Sequence, residues 1–261
     1  MRGLAASSRA QRRLSAGAQH SSQNPQRGFP TSHIHTHVLL RRHRRLIMQE
    51  FSTASPAHRL CAAQAVVEGT GPAAAAKPKI GVLFVCLGNI CRSPAAEAVF
   101  SAAVQRAGLA AAFDIDSCGT GGGNPDWYLP GGWSYHTGDP SDERMTAAAA
   151  ARGMRLTSRS RPLEPLDLSR FDYVICMEAR NTQAVQKAAD SWSKRGEGPG
   201  GVPGDYRSKL SLMTDYCVRQ RGAALVPDPY YSGSDAFNKV LDLLEDACDG
   251  LLQHIRERHQ L

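Results

Sequence analysis

The first 49 residues contain no acidic side chain, and the first 76 contain no lysine. Ten arginines against Glu50 and Glu68 give this head +8, so the total of +7 leaves −1 on residues 77–261. Phosphate-backbone affinity needs cations clustered on the fold itself, so a nearly neutral body excludes nucleic acid as an expected partner. Long apolar runs are missing too. Val38-Leu39-Leu40 is cut by Arg41-Arg42, far short of a secretory core segment or of the roughly 20 apolar residues that span a membrane. Neither secretion nor a membrane partner is expected. The seven cysteines are odd in number and include no Cys-x-x-Cys pair, which argues against a disulfide scaffold and a structural zinc site and fits a reduced compartment. The chain carries no internal repeat.

What the head does contain is arginine, serine, alanine and histidine, ending in Ala73 to Ala76. That is the composition of an organelle transit peptide over residues 1–76, with a disordered basic head as the alternative. The step Leu60-Cys61-Ala62-Ala63 is similar to plastid processing sites, while Met48 could equally serve as an internal start. The expected compartment is the chloroplast, and the mitochondrion is the alternative.

Of the 261 residues, 42% are apolar and 21% charged, enough to bury a core in one domain over 77–261. Ile80 to Val85, ending at Cys86, is a short β-branched run suited to a buried parallel strand. Ser93 and Pro94 are favoured at N-cap and N1, so a helix is expected from Pro94 towards Gly108. Further strands fit Phe113 to Ser117 and Phe171 to Met177, and helices fit Asp142 to Ala151 and Asn181 to Ala189. From Ser234, apolar residues Phe237, Val240, Leu241, Leu244, Cys248, Leu251, Leu252 and Ile255 recur at helical spacing. Strands alternating with helices imply an α/β fold with a parallel sheet. Gly121 to Asp139 and Trp192 to Arg207, rich in glycine and proline, read as loops or insertions.

The chemistry lies where the first strand turns into the first helix, at Cys86-Leu87-Gly88-Asn89-Ile90-Cys91-Arg92-Ser93. A loop of this length can turn its backbone N–H groups inward, and the helix N-terminus adds positive potential, making an anion nest. Gly88 and Asn89 tolerate the positive φ that such a curl needs. Arg92 can fork onto a tetrahedral oxyanion, and those dipoles favour a thiolate at Cys86, to which Ser93 can donate. A chance Cys-x5-Arg-[Ser/Thr] is expected about 0.1 times in such a chain, so the preceding strand and following helix start supply the needed context.

These residues resemble the low-molecular-weight protein tyrosine phosphatases, whose signature Val85 to Pro94 matches without a substitution. Val226-Pro227-Asp228-Pro229-Tyr230-Tyr231 is similar to that family's acid loop and Asp235 to Leu252 to its final helix, so the resemblance spans about 79–256. The plastid-type members of plants and green algae are the most similar. The resemblance implies a three-layer α/β/α fold with a four-stranded parallel sheet and a phosphate-binding loop after the first strand. It makes Cys86 the nucleophile, Arg92 the phosphate clamp and Asp228 the general acid, with Leu87 to Ser93 around the phosphate and Asn89 and Ser117 holding the loop. On residues alone, two prolines stiffen the Asp228 loop and a carboxylic acid is what a phenolate leaving group needs, although Asp-Pro is also a common turn pair.

Tyr230 and Tyr231 can wall an aromatic substrate, or simply pack. The resemblance implies one aromatic on the opposite wall, for which Trp127, Tyr128, Trp133 and Tyr135 are on offer; Tyr135 is expected, with Trp127 as runner-up. Glu178 stands where the family usually has aspartate, which puts any buried hydrogen bond there in doubt. Cys91 is a candidate redox partner of Cys86, or a buried filler. The expected reaction is two-step hydrolysis of a phosphotyrosine protein or small aryl phosphate by a monomer, without cofactor or metal. Its rivals are a phosphate sensor without turnover, an arsenate reductase and a protein-arginine phosphatase.

Overall fold

A computed structural model describes residues 78–198 and 200–261. The transit-peptide or basic-head expectation for 1–76 lies outside the described residues.

Four short strands form one parallel sheet: β1 (Ile80–Cys86), β2 (Phe113–Gly119), β3 (Tyr173–Cys176) and β4 (Leu210–Leu212), in the order β2-β1-β3-β4. The central strand β1 runs beside β2 from Ile80–Phe113 to Cys86–Gly119 and beside β3 from Val82–Tyr173 to Val85–Cys176. Every residue of β1 is buried, as a continuous apolar run in a strand covered on both faces requires.

Because successive side chains point to opposite faces, Val82, Phe84 and Cys86 enter one core and Leu83 and Val85 the other. The first core lies under α1 (Arg92–Arg106), α2 (Glu143–Ala150) and α5 (Ser234–His259). There Phe100 of α1 stands edge-on to both Phe84 and Phe113, with centroids 5.6 and 5.7 Å apart. The second core lies under the short α3 (Asp167–Arg170) and α4 (Ala179–Arg195). The three-layer α/β/α architecture follows, with the eight apolar positions read in α5 all buried.

Two boundaries depart from expectation in ways that matter for the site. Helix α1 starts at Arg92, with Cys91 rather than Ser93 at its N-cap. The loop expected from Trp192 is helical to Arg195, and Gly196, at φ 66°, ends α4. Trp192 is itself a core residue, edge-on to Trp127 at 5.7 Å, and its Nε1 donates to the Tyr128 carbonyl at 3.0 Å. The two segments read as separate insertions therefore support one another. The 121–139 segment also contains Gly121 at φ 91°, where a Cβ would collide with the Trp127 ring.

Candidate active site

The loop between β1 and α1 curls around Cys86. The Cys86 Sγ receives the Asn89 N–H at 3.2 Å and the Ser93 hydroxyl at 3.0 Å. Asn89 sits at φ 54°, and its side chain is fully engaged. Its Nδ2 donates to Ser93 Oγ and to Ser117 Oγ, each at 2.9 Å, and its Oδ1 accepts the Arg161 N–H at 2.9 Å. Ser117 passes the chain on, donating its hydroxyl to Glu97 Oε2 at 2.6 Å. With its proton committed there, Ser117 can only accept from Asn89, which fixes the amide orientation and makes Ser93 an acceptor, leaving the Ser93 hydroxyl proton for Cys86 Sγ at 3.0 Å or the Cys118 carbonyl at 3.2 Å. Burial raises the Glu97 pKa above the usual carboxylate range, against the hydrogen bond from Ser117.

Arg92 is 2% exposed and points across the loop. Its Nη1 donates to Glu178 Oε1 at 2.8 Å and to the Val226 carbonyl at 3.3 Å, and its Nη2 to Asp228 Oδ2 at 2.9 Å. Burial alone would favour the neutral form, but the charges of Cys86, Asp228 and Glu178, with the Glu178 hydrogen bond, raise its pKa further. The longer Glu178 thus makes the hydrogen bond that its substitution for aspartate had put in doubt. The Asp228 loop is anchored at its root, where the Val226 N–H donates to the Met177 carbonyl at 2.9 Å. It is anchored again at Tyr230, whose carbonyl accepts Arg144 Nη1 at 3.0 Å.

These groups converge on a pocket of about 150 Å³ whose lining includes Cys86, Gly88, Cys91, Arg92 and Asp228. Leu87 and Ile90 also face it, whereas Asn89 and Ser93 support it from beneath. Tyr230 and Tyr231 line one side of it; Tyr231 is 95% exposed. The opposite wall corrects the sequence expectation. It is made by His136 and Gly122 rather than by Tyr135 or Trp127. Tyr135 packs over Gly122 and against Trp133 outside the pocket, and Trp127 is buried in the second core. His136 sits at φ 68°, with Nδ1 3.1 Å from Asp139 Oδ2. Nothing in the sequence pattern separates it from its aromatic neighbour, since one residue of backbone twist decides which side chain turns inward.

Cys91 lines the same pocket, and burial, with the nearby Asp142 charge, pushes its thiol pKa well up, so it remains protonated. Among the described residues no cluster of histidine, cysteine and carboxylates has the geometry of a metal site, and no helix is long and apolar enough to cross a membrane. An anion nest, a buried guanidinium, a thiol accepting two hydrogen bonds and a carboxyl group at the rim can hold a tetrahedral dianion and exchange its substituents.

A family model described as low molecular weight phosphotyrosine protein phosphatase matches residues 81–261. A Synechocystis sp. protein named as a low molecular weight protein-tyrosine-phosphatase is 40% identical over 171 residues, 66% of this chain and 93% of the relative. The Schizosaccharomyces pombe low molecular weight phosphotyrosine protein phosphatase is 36% identical over 177 residues, 67% of this chain and 97% of its own length. Among solved structures, a protein tyrosine phosphatase from Entamoeba histolytica superposes with a TM-score of 0.57 at 36% identity, covering 70% of this chain and all of the other.

Proposed function

The chain belongs to the low molecular weight phosphotyrosine protein phosphatases, and on that premise we propose how Cys86, Arg92 and Asp228 divide the reaction. The enzyme is a phosphotyrosine hydrolase that works through a cysteine. Cys86 Sγ attacks phosphorus while Arg92 and the inward N–H groups of Leu87 to Ser93 hold the equatorial oxygens. As Arg92 turns onto the phosphate, Asp228 is released from its ion pair, takes up a proton from solvent, and gives it to the departing phenolate oxygen. Water then attacks the cysteinyl-phosphate, Asp228 takes the water proton, and the thiolate leaves with free phosphate as product. Asn89 and Ser117 hold the loop, and Tyr230 and Tyr231 wall the aromatic ring.

The observation that carries these roles is the convergence on one pocket of a thiol accepting two hydrogen bonds, a buried arginine and a rim carboxylate. The full chain should hydrolyse p-nitrophenyl phosphate without added metal. Cys86→Ser should abolish turnover, and Asp228→Ala should slow it by about 10²-fold or more. Retained turnover in Cys86→Ser would sink the mechanism. The same assay reads the proposed redox role of Cys91. Peroxide converts the Cys86 thiolate to a sulfenic acid, the Cys91 thiol displaces water to form a disulfide, and a reductant restores both. After peroxide, Cys91→Ser should recover less activity with thiols than the unmodified enzyme; equal recovery refutes the pairing.

The finer identity is a plastid-type enzyme acting as a monomer in the chloroplast. It is supported by the arginine-rich head with only two acids, and by the likeness to a Synechocystis protein.

A further inference from the structure

Beside the phosphate loop lies a second cleft of about 440 Å³, which shares Leu87 and Asp228 with the catalytic pocket. One wall is the 121–139 segment, through Asn124, Trp127 and Tyr128; the other is the N-terminal half of α4, through Arg180, Asn181 and Lys187. Arg180 and Lys187 are seven residues apart, two helical turns, so both stand on one face of α4. Both are exposed, and neither takes part in any ion pair found among the described residues. Lys187 Nζ sits 5.4 Å from the centroid of Tyr128. Between the two cations, Asn181 is 2% exposed, with its Oδ1 lacking a hydrogen-bond partner.

We propose that this cleft is a substrate subsite that binds acidic side chains flanking the phosphotyrosine of a protein substrate, with Arg180 and Lys187 as the recognising cations. The proposal rests on Cys86 as the nucleophile of the neighbouring pocket. Glu178 and Asp228, the carboxylates of the lining, both pair with Arg92, and the cations of the lining outside any such pair are Arg180 and Lys187. From Asn181 to Lys187 the helix rises about 9 Å at 1.5 Å per residue, which matches about three residues of extended peptide at ~3.3 Å each. The cleft adjoins the catalytic pocket along Leu87 and Asp228, so a chain continuing from a tyrosine bound there passes beside it. The interlock of Trp127 with Trp192, and of Tyr128 with Trp192 and Arg195, gives the cleft a rigid far wall.

The test uses the full chain and two sets of phosphotyrosine peptides, with glutamate or with lysine at the three positions on either side, beside p-nitrophenyl phosphate. The glutamate set should be preferred by about tenfold in kcat/KM, the scale of two exposed ion pairs, with the advantage shrinking as salt rises. Arg180→Ala with Lys187→Ala should erase the preference, and Arg180→Glu with Lys187→Glu should reverse it. Both double variants should keep p-nitrophenyl phosphate turnover within about twofold, since neither side chain touches the reacting atoms. Equal turnover of both sets by the unmodified enzyme, or a preference that survives both double variants, overturns the proposal. Binding of the same peptides to Cys86→Ser reads the subsite independently of chemistry: tighter binding of the glutamate set supports it, and equal binding refutes it even where turnover fails for other reasons.

Discussion

At the scale of single residues, Glu97 is the side chain whose role the fold reveals and the sequence hides. In the string Ala95-Ala96-Glu97-Ala98 it reads as an ordinary polar position on a helix. Instead it lies against β2, receives the Ser117 hydroxyl and so ends the relay that begins at Cys86. Its folded-state pKa is raised by burial above the unfolded value. The folded protein therefore holds this proton more tightly, and stability from this group is full below the ordinary glutamate pKa of about 4.3 and is lost as pH rises through the folded value. Glu97→Gln keeps an acceptor for Ser117 but cannot ionise. Its Tm should exceed that of the unmodified protein at neutral pH, and the gap should close as pH falls toward about 4. Melting curves that keep a constant separation across that range would show that Glu97 is not the group responsible. By contrast Cys86 and Arg92 were legible as candidates, because a six-residue separation across a strand-to-helix turn is constrained by the chemistry itself, whereas Asp228, in a common Asp-Pro turn pair, stood out only through the resemblance of its loop. The pairing of Arg92 with Glu178 was not legible, since it joins residues 86 positions apart.

At the scale of elements, long periodic patterns were legible and short ones were not. Helix α5 showed its buried face in sequence because 26 residues repeat the pattern over seven turns. Strand β4 has three residues of intermediate burial, too few for any alternation to register. Helix α4 was read short because Trp192 to Arg195 was grouped with the glycines that follow, although Trp192 completes the apolar face. A further element-level device joins α5 to the segment that leads into the Asp228 loop. Asp246 is completely buried and accepts the N–H groups of Val218, Arg219 and Gln220 at 3.3, 3.0 and 2.8 Å. One turn later, a Cβ at Gly250 would collide with the Tyr216 carbonyl oxygen. Replacing a helix-interior glycine by alanine ordinarily gains about 1 kcal/mol. Here Gly250→Ala should lose about 1–3 kcal/mol instead, because the 216–220 segment must be pushed off α5. Denaturant unfolding measures the sign, and a gain in stability would show that this close approach does not constrain the helix.

At the scale of the whole molecule, charge is divided rather than spread: +8 on residues 1–76 and −1 on 77–261. Residues 77–261 carry their own anion-binding groups in the loop, Arg92 and the two proposed cations of the cleft, so no step of the proposed chemistry calls on the arginines of the head. That separation is what an address would need, since a label removed after import must leave the reaction untouched. Composition could suggest the address but not the destination, because plastid and mitochondrial labels share abundant arginine and serine and few acids. The proposed destination makes a definite expectation. Residues 1–76 fused to a fluorescent protein should direct it to the chloroplast of a green algal or plant cell, and replacing the ten arginines by glutamine should leave it in the cytosol. Mitochondrial fluorescence would overturn the plastid assignment while keeping the address. Diffuse fluorescence from the unaltered head would instead make it a basic arm retained on the enzyme. In that case full-length protein, but not residues 77–261 alone, should be held on a cation exchanger at neutral pH, with p-nitrophenyl phosphate turnover the same in both.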